Sequence, residues 1–105
     1  MALLEAKLVQ KLEKKKREGW TINHARFFEE KERQCCLLGA QCDQWPKFVD
    51  DYQEGPARLL GITVPQAYSL EWGFMGSTHL PDRELEPDFV ELGAKLRSQY
   101  QPPKP

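Results

Sequence analysis

The stretch Ile62-Thr63-Val64-Pro65-Gln66-Ala67-Tyr68-Ser69-Leu70-Glu71-Trp72-Gly73-Phe74-Met75-Gly76 decides the fold. Thr63 is a helix cap by residue type. Pro65 falls in a first turn, where no amide hydrogen is needed, and Gln66 follows Thr63 at the spacing of a capping box. Val64, Ala67, Leu70 and Phe74 then recur at helical spacing. The sequence predicts a helix over 64–74, with Gly73 and Gly76 bringing it to a stop. Tyr68, Trp72 and Met75 fall on a second face, offset from the first. A helix apolar on more than one side lies at the centre of a domain or meets a partner.

Upstream, Ala57-Arg58-Leu59-Leu60 reads as one short helical turn closed by Gly61. Gly55-Pro56 ends the segment before it, which opens at Trp45-Pro46 and carries Phe48, Val49 and Tyr52. The Ala57-x-x-x-Gly61 spacing followed by the 64–74 helix has the form of a helix-turn-helix corner. Against DNA binding, the second helix offers Gln66, Ser69 and Glu71 but no Lys or Arg. Phosphate contacts dominate affinity for DNA and Arg is its commonest base reader. The corner is therefore expected to be architectural.

Residues 2–18 form a further predicted helix. Leu4, Leu8 and Leu12 recur every four residues, with Leu3 and Val9 widening the stripe. Glu5 near its start and Lys14, Lys15, Lys16 and Arg17 near its end suit the helix dipole, and Gly19 fits the position just past the end. The apolar stripe stops at Leu12, so the last turn and a half is expected to face water. Residues 20–33 have two readings: an extended stretch around Trp20 and Ile22, or a helix capped by Asn23 and running through His24 to Phe28. Residues 34–43 are expected to form a buried helix with Cys35, Leu38 and Cys42 on one side. Residues 77–85 read as a loop. Glu86-Pro87-Asp88 opens the last helix, whose stripe is Phe89, Leu92/Gly93, Leu96 and Tyr100. Residues 101–105 hold three prolines and read as a frayed tail. The expected architecture is all-α: one compact domain over 1–100, built of about five short helices.

Composition narrows the class. The 105 residues are 40% hydrophobic and 30% charged, with a net charge of −1. One domain is the expected count at this length. Low net charge with many large aromatics argues against disorder. No apolar run is long enough to span a bilayer, and Lys7 and the 14–17 basic run leave no apolar signal-peptide core. The charge is split: residues 1–33 carry nine Lys/Arg against six Asp/Glu, and residues 34–105 carry six against ten. A nucleic-acid binder would show a broad basic face and a high pI, whereas this pI is near 6.1.

Three cysteines, at 35, 36 and 42, are an odd number within one short segment. That suits a reducing cytoplasm and thiols packed as small hydrophobes, not a disulfide framework. Zinc would need paired ligands converging from one turn, and neither Cys35-Cys36 nor Cys36–Cys42 has that spacing. A thiol nucleophile would need His24 or His79 beside it as a base. No phosphate-loop, dinucleotide, zinc-protease or serine-hydrolase motif occurs. No catalytic residue, cofactor or metal ligand is therefore assigned.

Three short segments resemble small uncharacterised bacterial and phage proteins. They are Cys36-Leu37-Leu38-Gly39-Ala40, the Leu60-Gly61-Ile62 corner with Gln66-Ala67 and Gly73-Phe74-Met75-Gly76, and Asp88-Phe89-Val90-Glu91-Leu92-Gly93-Ala94-Lys95-Leu96. The resemblance spans about 35–100 and implies a compact helical domain inside the cell, with no catalytic residue. The functional expectation is a non-enzymatic regulatory or inhibitory protein that masks a partner, such as a defence or nucleic-acid-processing complex. Its contact residues would be Tyr68, Glu71, Trp72 and Met75, with Asp82 and Glu84 in an acidic rim. A homodimer through the 2–12 seam is a parallel expectation. Two alternatives stand beside it: a nucleic-acid-binding regulator using Lys14, Lys15, Lys16, Arg17 and Arg26, and a structural zinc or thiol protein.

Overall fold

The computed structural model describes residues 2–23, 28–29, 31–41, 54–76 and 84–100. Helix α1, Ala2–Arg17, is built from strong helix formers and presents Leu8 and Leu12 to the interior, both fully buried. Leu4 and Val9 pack against the same core, while Leu3 is 82% exposed and does not widen the stripe. The end of α1 is a Schellman closure: the Trp20 N–H donates to the Lys15 carbonyl, the Gly19 N–H donates to the Lys16 carbonyl, and Gly19 has φ +87. Lys15 belongs to the turn expected to face water, yet it is only 4% exposed, because its ammonium lies 4.4 Å from the centre of the Trp20 ring. Arg33, itself left-handed at φ 53, donates from its guanidinium to the Glu18 carbonyl at 2.7 Å. A cation thus sits on the negative end of α1.

The chain then enters a small three-stranded sheet of two-residue strands: β1 Thr21–Ile22, β2 Phe28–Glu29 and β3 Gln34–Cys35, in the order β1-β3-β2. β3 pairs with β1 in parallel, Thr21 opposite Gln34 and Ile22 opposite Cys35, and with β2 antiparallel, Phe28 opposite Cys35. Asn23 extends the β1 ladder by donating to the Cys35 carbonyl at 2.9 Å. This decides for the extended reading at Trp20–Ile22 and against a helix reaching Phe28. It also corrects the expected helix over 34–43. Residues 34–35 are strand, 37–38 are turn, and only Gly39–Gln41 is helical, as a 3₁₀ turn. Every residue from Cys35 to Gln41 is buried. A segment buried on all sides carries no polar positions to reveal its period, so composition alone could not tell strand and turn from helix. Cys42, and the segment opened by Trp45-Pro46, lie outside the described residues.

Helix α2, Glu54–Leu60, starts earlier than expected, because Gly55 and Pro56 occupy its first turn and do not end a preceding element. It closes as α1 does. The Ile62 N–H donates to the Ala57 carbonyl, the Gly61 N–H donates to the Arg58 carbonyl, and Gly61 has φ +70. Helix α3, Val64–Met75, opens with the expected capping box: the Gln66 N–H donates to Thr63 Oγ1 at 3.2 Å, and the Thr63 N–H donates to Gln66 Oε1 at 3.0 Å. Helix α4, Pro87–Tyr100, follows, burying Leu92, Gly93 and Leu96.

Among the described residues, helices α3 and α4 form the tightest packing. A Cβ on Gly73 would lie 2.0 Å from the Val90 carbonyl oxygen, and one on Gly93 would lie 2.2 Å from the Leu70 carbonyl oxygen. The two backbones touch where each helix lacks a side chain. Gly73 is therefore a crossing residue inside α3 and not its stop, which is Gly76 at φ 64. Ser69, fully buried, donates to the Pro65 carbonyl at 2.8 Å and accepts the Glu86 N–H at 2.9 Å, which fixes the entry to α4. The two ends of the chain are tied by Lys95 to Glu5 at 2.8 Å and by the Tyr100 hydroxyl, which donates to Glu13 at 2.6 Å. The Cα radius of gyration is 12.7 Å, the value of one compact globule of this length (about 13 Å). The fold is mostly helical, with four α-helices among the described residues.

Candidate interaction surface

Helix α3 divides its faces much as its spacing implies. Ala67, Leu70 and Phe74 are buried in the core and Val64 packs against it. Tyr68 and Trp72, one turn apart, are half-buried, and their ring centres lie 6.0 Å apart at 43°. That separation lies within the range of favourable aromatic pairs. Met75 completes the row at 40% exposure. Glu71 is half-buried on the same helix and contributes to the electrostatics of Cys36.

The acids of the expected rim are not one feature. Glu84 is exposed before α4, and Asp82 lies outside the described residues. Glu86 accepts from Gln66 Nε2 at 3.4 Å. Asp88 and Glu91 line a cleft of ≈ 270 Å³ with Glu5 and Lys95, between α1 and α4.

The candidate nucleic-acid residues are also divided. Lys14, Lys16 and Arg17 are exposed at the end of α1, Lys15 is buried under Trp20, and the Lys16 ammonium stands 5.4 Å from the Tyr100 ring centre. Arg26 lies outside the described residues. Ser69, which would face DNA in a recognition helix, is inside the protein.

Cys35 and Cys36 are buried and form no disulfide. Burial pushes the Cys36 thiol up to about 12, against the opposing pull of the Gly39 N–H, and nearby Glu71 adds to the rise. Such a thiol stays protonated and unreactive at neutral pH. No group of metal-ligating side chains occurs among the described residues. His24 and His79 lie outside them. No helix among the described residues is long and apolar enough to cross a membrane.

Of the 2–12 seam expected to serve a homodimer, Leu8 and Leu12 are fully buried within the chain, while Leu4 is partly buried and Leu3 is exposed. Sequence reading missed two side chains near it. Leu59 was grouped only with a short helical turn, yet it is 62% exposed. Gln41, at the end of the 3₁₀ turn, is buried, and its Oε1 has no hydrogen-bond partner among the described residues. No sequence pattern marks Gln41, because the segment holding it has no readable period. No family model, curated protein or solved structure matches the chain.

Proposed function

We propose that this chain is a non-enzymatic protein-interaction module, a small regulatory or inhibitory protein that works by covering a partner's surface. The observation that supports it most is the Tyr68–Trp72–Met75 row on α3. These three large side chains lie on a helix whose core face is already supplied by Ala67, Leu70 and Phe74. Paired aromatics beside a flexible Met are frequent anchors at interfaces. Glu71 and exposed Glu84 favour a partner with basic side chains at its contact face. Buried, unbridged Cys35 and Cys36 suit work in a reducing cytoplasm.

The nucleic-acid alternative draws less support. Two of the four basic side chains at the end of α1 are engaged with aromatic rings, and Ser69 is committed to holding α4. A mobility shift with duplex DNA at low salt should show no binding at roughly tens of micromolar protein, a concentration within the range at which ordinary non-specific DNA binders associate even at physiological salt.

The interaction reading is tested by Tyr68→Ala, Trp72→Ala and Met75→Asp. Affinity capture from the native host, read by mass spectrometry, should recover the same partner with wild type and lose it with each variant. Each variant should unfold within about 1 kcal/mol of wild type, as surface changes do. A loss of about 3–5 kcal/mol for Trp72→Ala would make Trp72 a core residue and sink the reading.

A further inference from the structure

Helix α1 turns one stripe to water. Leu3, Lys7, Gln10, Lys14 and Arg17 follow one another at the spacing of a single helix face, and all five are exposed. The stripe holds no carboxylate. Glu5 pairs with Lys95 at 2.8 Å and Glu13 accepts from the Tyr100 hydroxyl at 2.6 Å, so both acids of α1 face α4. Packing thus turns the acids inward and leaves the opposite stripe basic. As a whole α1 carries six Lys/Arg against two Asp/Glu, while the rest of the chain carries nine against fourteen. Two of the three exposed large hydrophobics among the described residues stand on this side. Leu3, 82% exposed, is in the stripe itself. Leu59, 62% exposed, is brought there by α2, where Leu59 and Leu60 share a cleft of ≈ 270 Å³ with Lys7, Gln10 and Lys11.

A basic face with bare leucines makes two demands, one for negative charge and one for apolar cover. Duplex nucleic acid meets the first and leaves the leucines in water. A second copy of the same face brings like charges together. An anionic bilayer meets both, since its headgroups carry the charge and its acyl boundary lies roughly 5–10 Å beneath them. We propose that this side of the molecule docks on an anionic lipid bilayer. Lys7 and Arg17 lie among the headgroups, and Leu3 and Leu59 enter the acyl boundary. Lys11 and Lys14 have partners within the chain, so the attraction is counted on Lys7 and Arg17 alone. Acids on the far side of the molecule do not cancel it. Headgroup charge is screened within about 8 Å at physiological salt, and the molecule is 27 Å through its thinnest direction. The contact is peripheral and shares no residue with the Tyr68–Trp72–Met75 row, so it goes beyond the interaction reading.

Co-sedimentation of the full chain with vesicles tests the proposal. The vesicles are phosphatidylcholine alone, and phosphatidylcholine with roughly 30% phosphatidylglycerol to supply a negative surface potential. The chain should bind the anionic vesicles with half-saturation on the order of 1–10 mM lipid, weaker than the roughly 0.1 mM of a single myristoyl anchor. It should bind the neutral vesicles more than about tenfold less tightly. Lys7→Gln and Arg17→Gln should each weaken anionic binding about fivefold, the effect of one basic side chain near the surface. Leu3→Ser and Leu59→Ser should each weaken it about threefold or more. These leucine variants alter exposed side chains and should keep the wild-type circular dichroism. Trp72→Ala should bind vesicles as wild type does, so the two contact surfaces fail or survive separately. Duplex DNA and polyglutamate, added at the same salt, are the competing polyanions. The proposal is overturned if anionic vesicles carry down no protein at about 10 mM lipid. It is equally overturned if the leucine variants bind as tightly as wild type, or if either polyanion displaces the chain from vesicles at equal charge concentration.

Discussion

Gly73 shows how one residue can be read correctly as special and still be assigned the wrong reason. In sequence it stands near the end of an amphipathic run, where glycine commonly stops a helix. In the structure it lies inside α3, and the absence of a side chain lets the Val90 carbonyl come within 2.0 Å of where a Cβ would be. The signal for that role is shared with Gly93 on another helix, so it is invisible to any local window. Adding a methyl group must push the helices apart. Gly73→Ala should therefore destabilise by about 1–3 kcal/mol or more, as overpacking does. Gly55 is the control: a Cβ there meets nothing within 4 Å. Gly55→Ala should be neutral or stabilising by about 0.4–1 kcal/mol, through lost freedom of the unfolded chain. Urea denaturation of both variants measures the contrast, and equal effects would remove the crossing argument.

Among the elements, those whose signals are local were legible. The Thr63–Gln66 capping box, Gly19 after α1, Gly61 in the corner and Pro87 at the head of α4 are each set by residues a turn apart. The small sheet was not. Each strand has two residues, too few to show alternation, and β3 finds partners thirteen and five or seven positions away in the chain. The Tyr68–Trp72–Met75 row was legible from helical spacing, whereas Leu59 gained meaning only when α1, α2 and the 3₁₀ turn met. Lys15 belongs at this scale too. A Schellman closure commonly sets an apolar residue past the helix against one in its last turn. Here that pair is Trp20 and Lys15, with the ammonium over the ring. The lysine stem supplies packing and the ammonium supplies attraction. Lys15→Ala should cost about 1–2 kcal/mol, while Lys14→Ala, exposed on the same turn, should stay within about 0.5 kcal/mol. Thermal melts with the helical signal of α1 would show it, and matched melts for the two variants would refute it.

Over the whole molecule, stability should decline in alkali through two groups set far apart. Cys36 in the central segment is raised from the ordinary 9.0 to about 12, mainly by burial. Tyr100 at the end of α4 is raised from 10.0 to about 12, by desolvation first and then by its hydrogen bond to Glu13. Both groups hold their proton more tightly folded than unfolded. Their contributions are complete below the unfolded values and are lost as pH rises from those values toward 12. The urea midpoint should thus fall from about pH 9 upward, more steeply above about pH 10. Tyr100→Phe with Cys36→Ala should start lower at pH 8 and decline less. A double variant that declines as steeply as wild type would rule these groups out.

The contact between α3 and α4 also carries a consequence for descent. Neither Gly73 nor Gly93 can acquire a side chain while its partner helix stays where it is, because the obstacle in each case is backbone and backbone does not mutate. Most surface positions are free to drift, but these two are bound to each other across the contact between their helices. Any lineage that keeps this arrangement will keep a residue of minimal size at both places. Two bare positions, one in each of two successive helices and preceded by a threonine–glutamine cap, form a signature by which distant kin can be recognised after other resemblance has worn away.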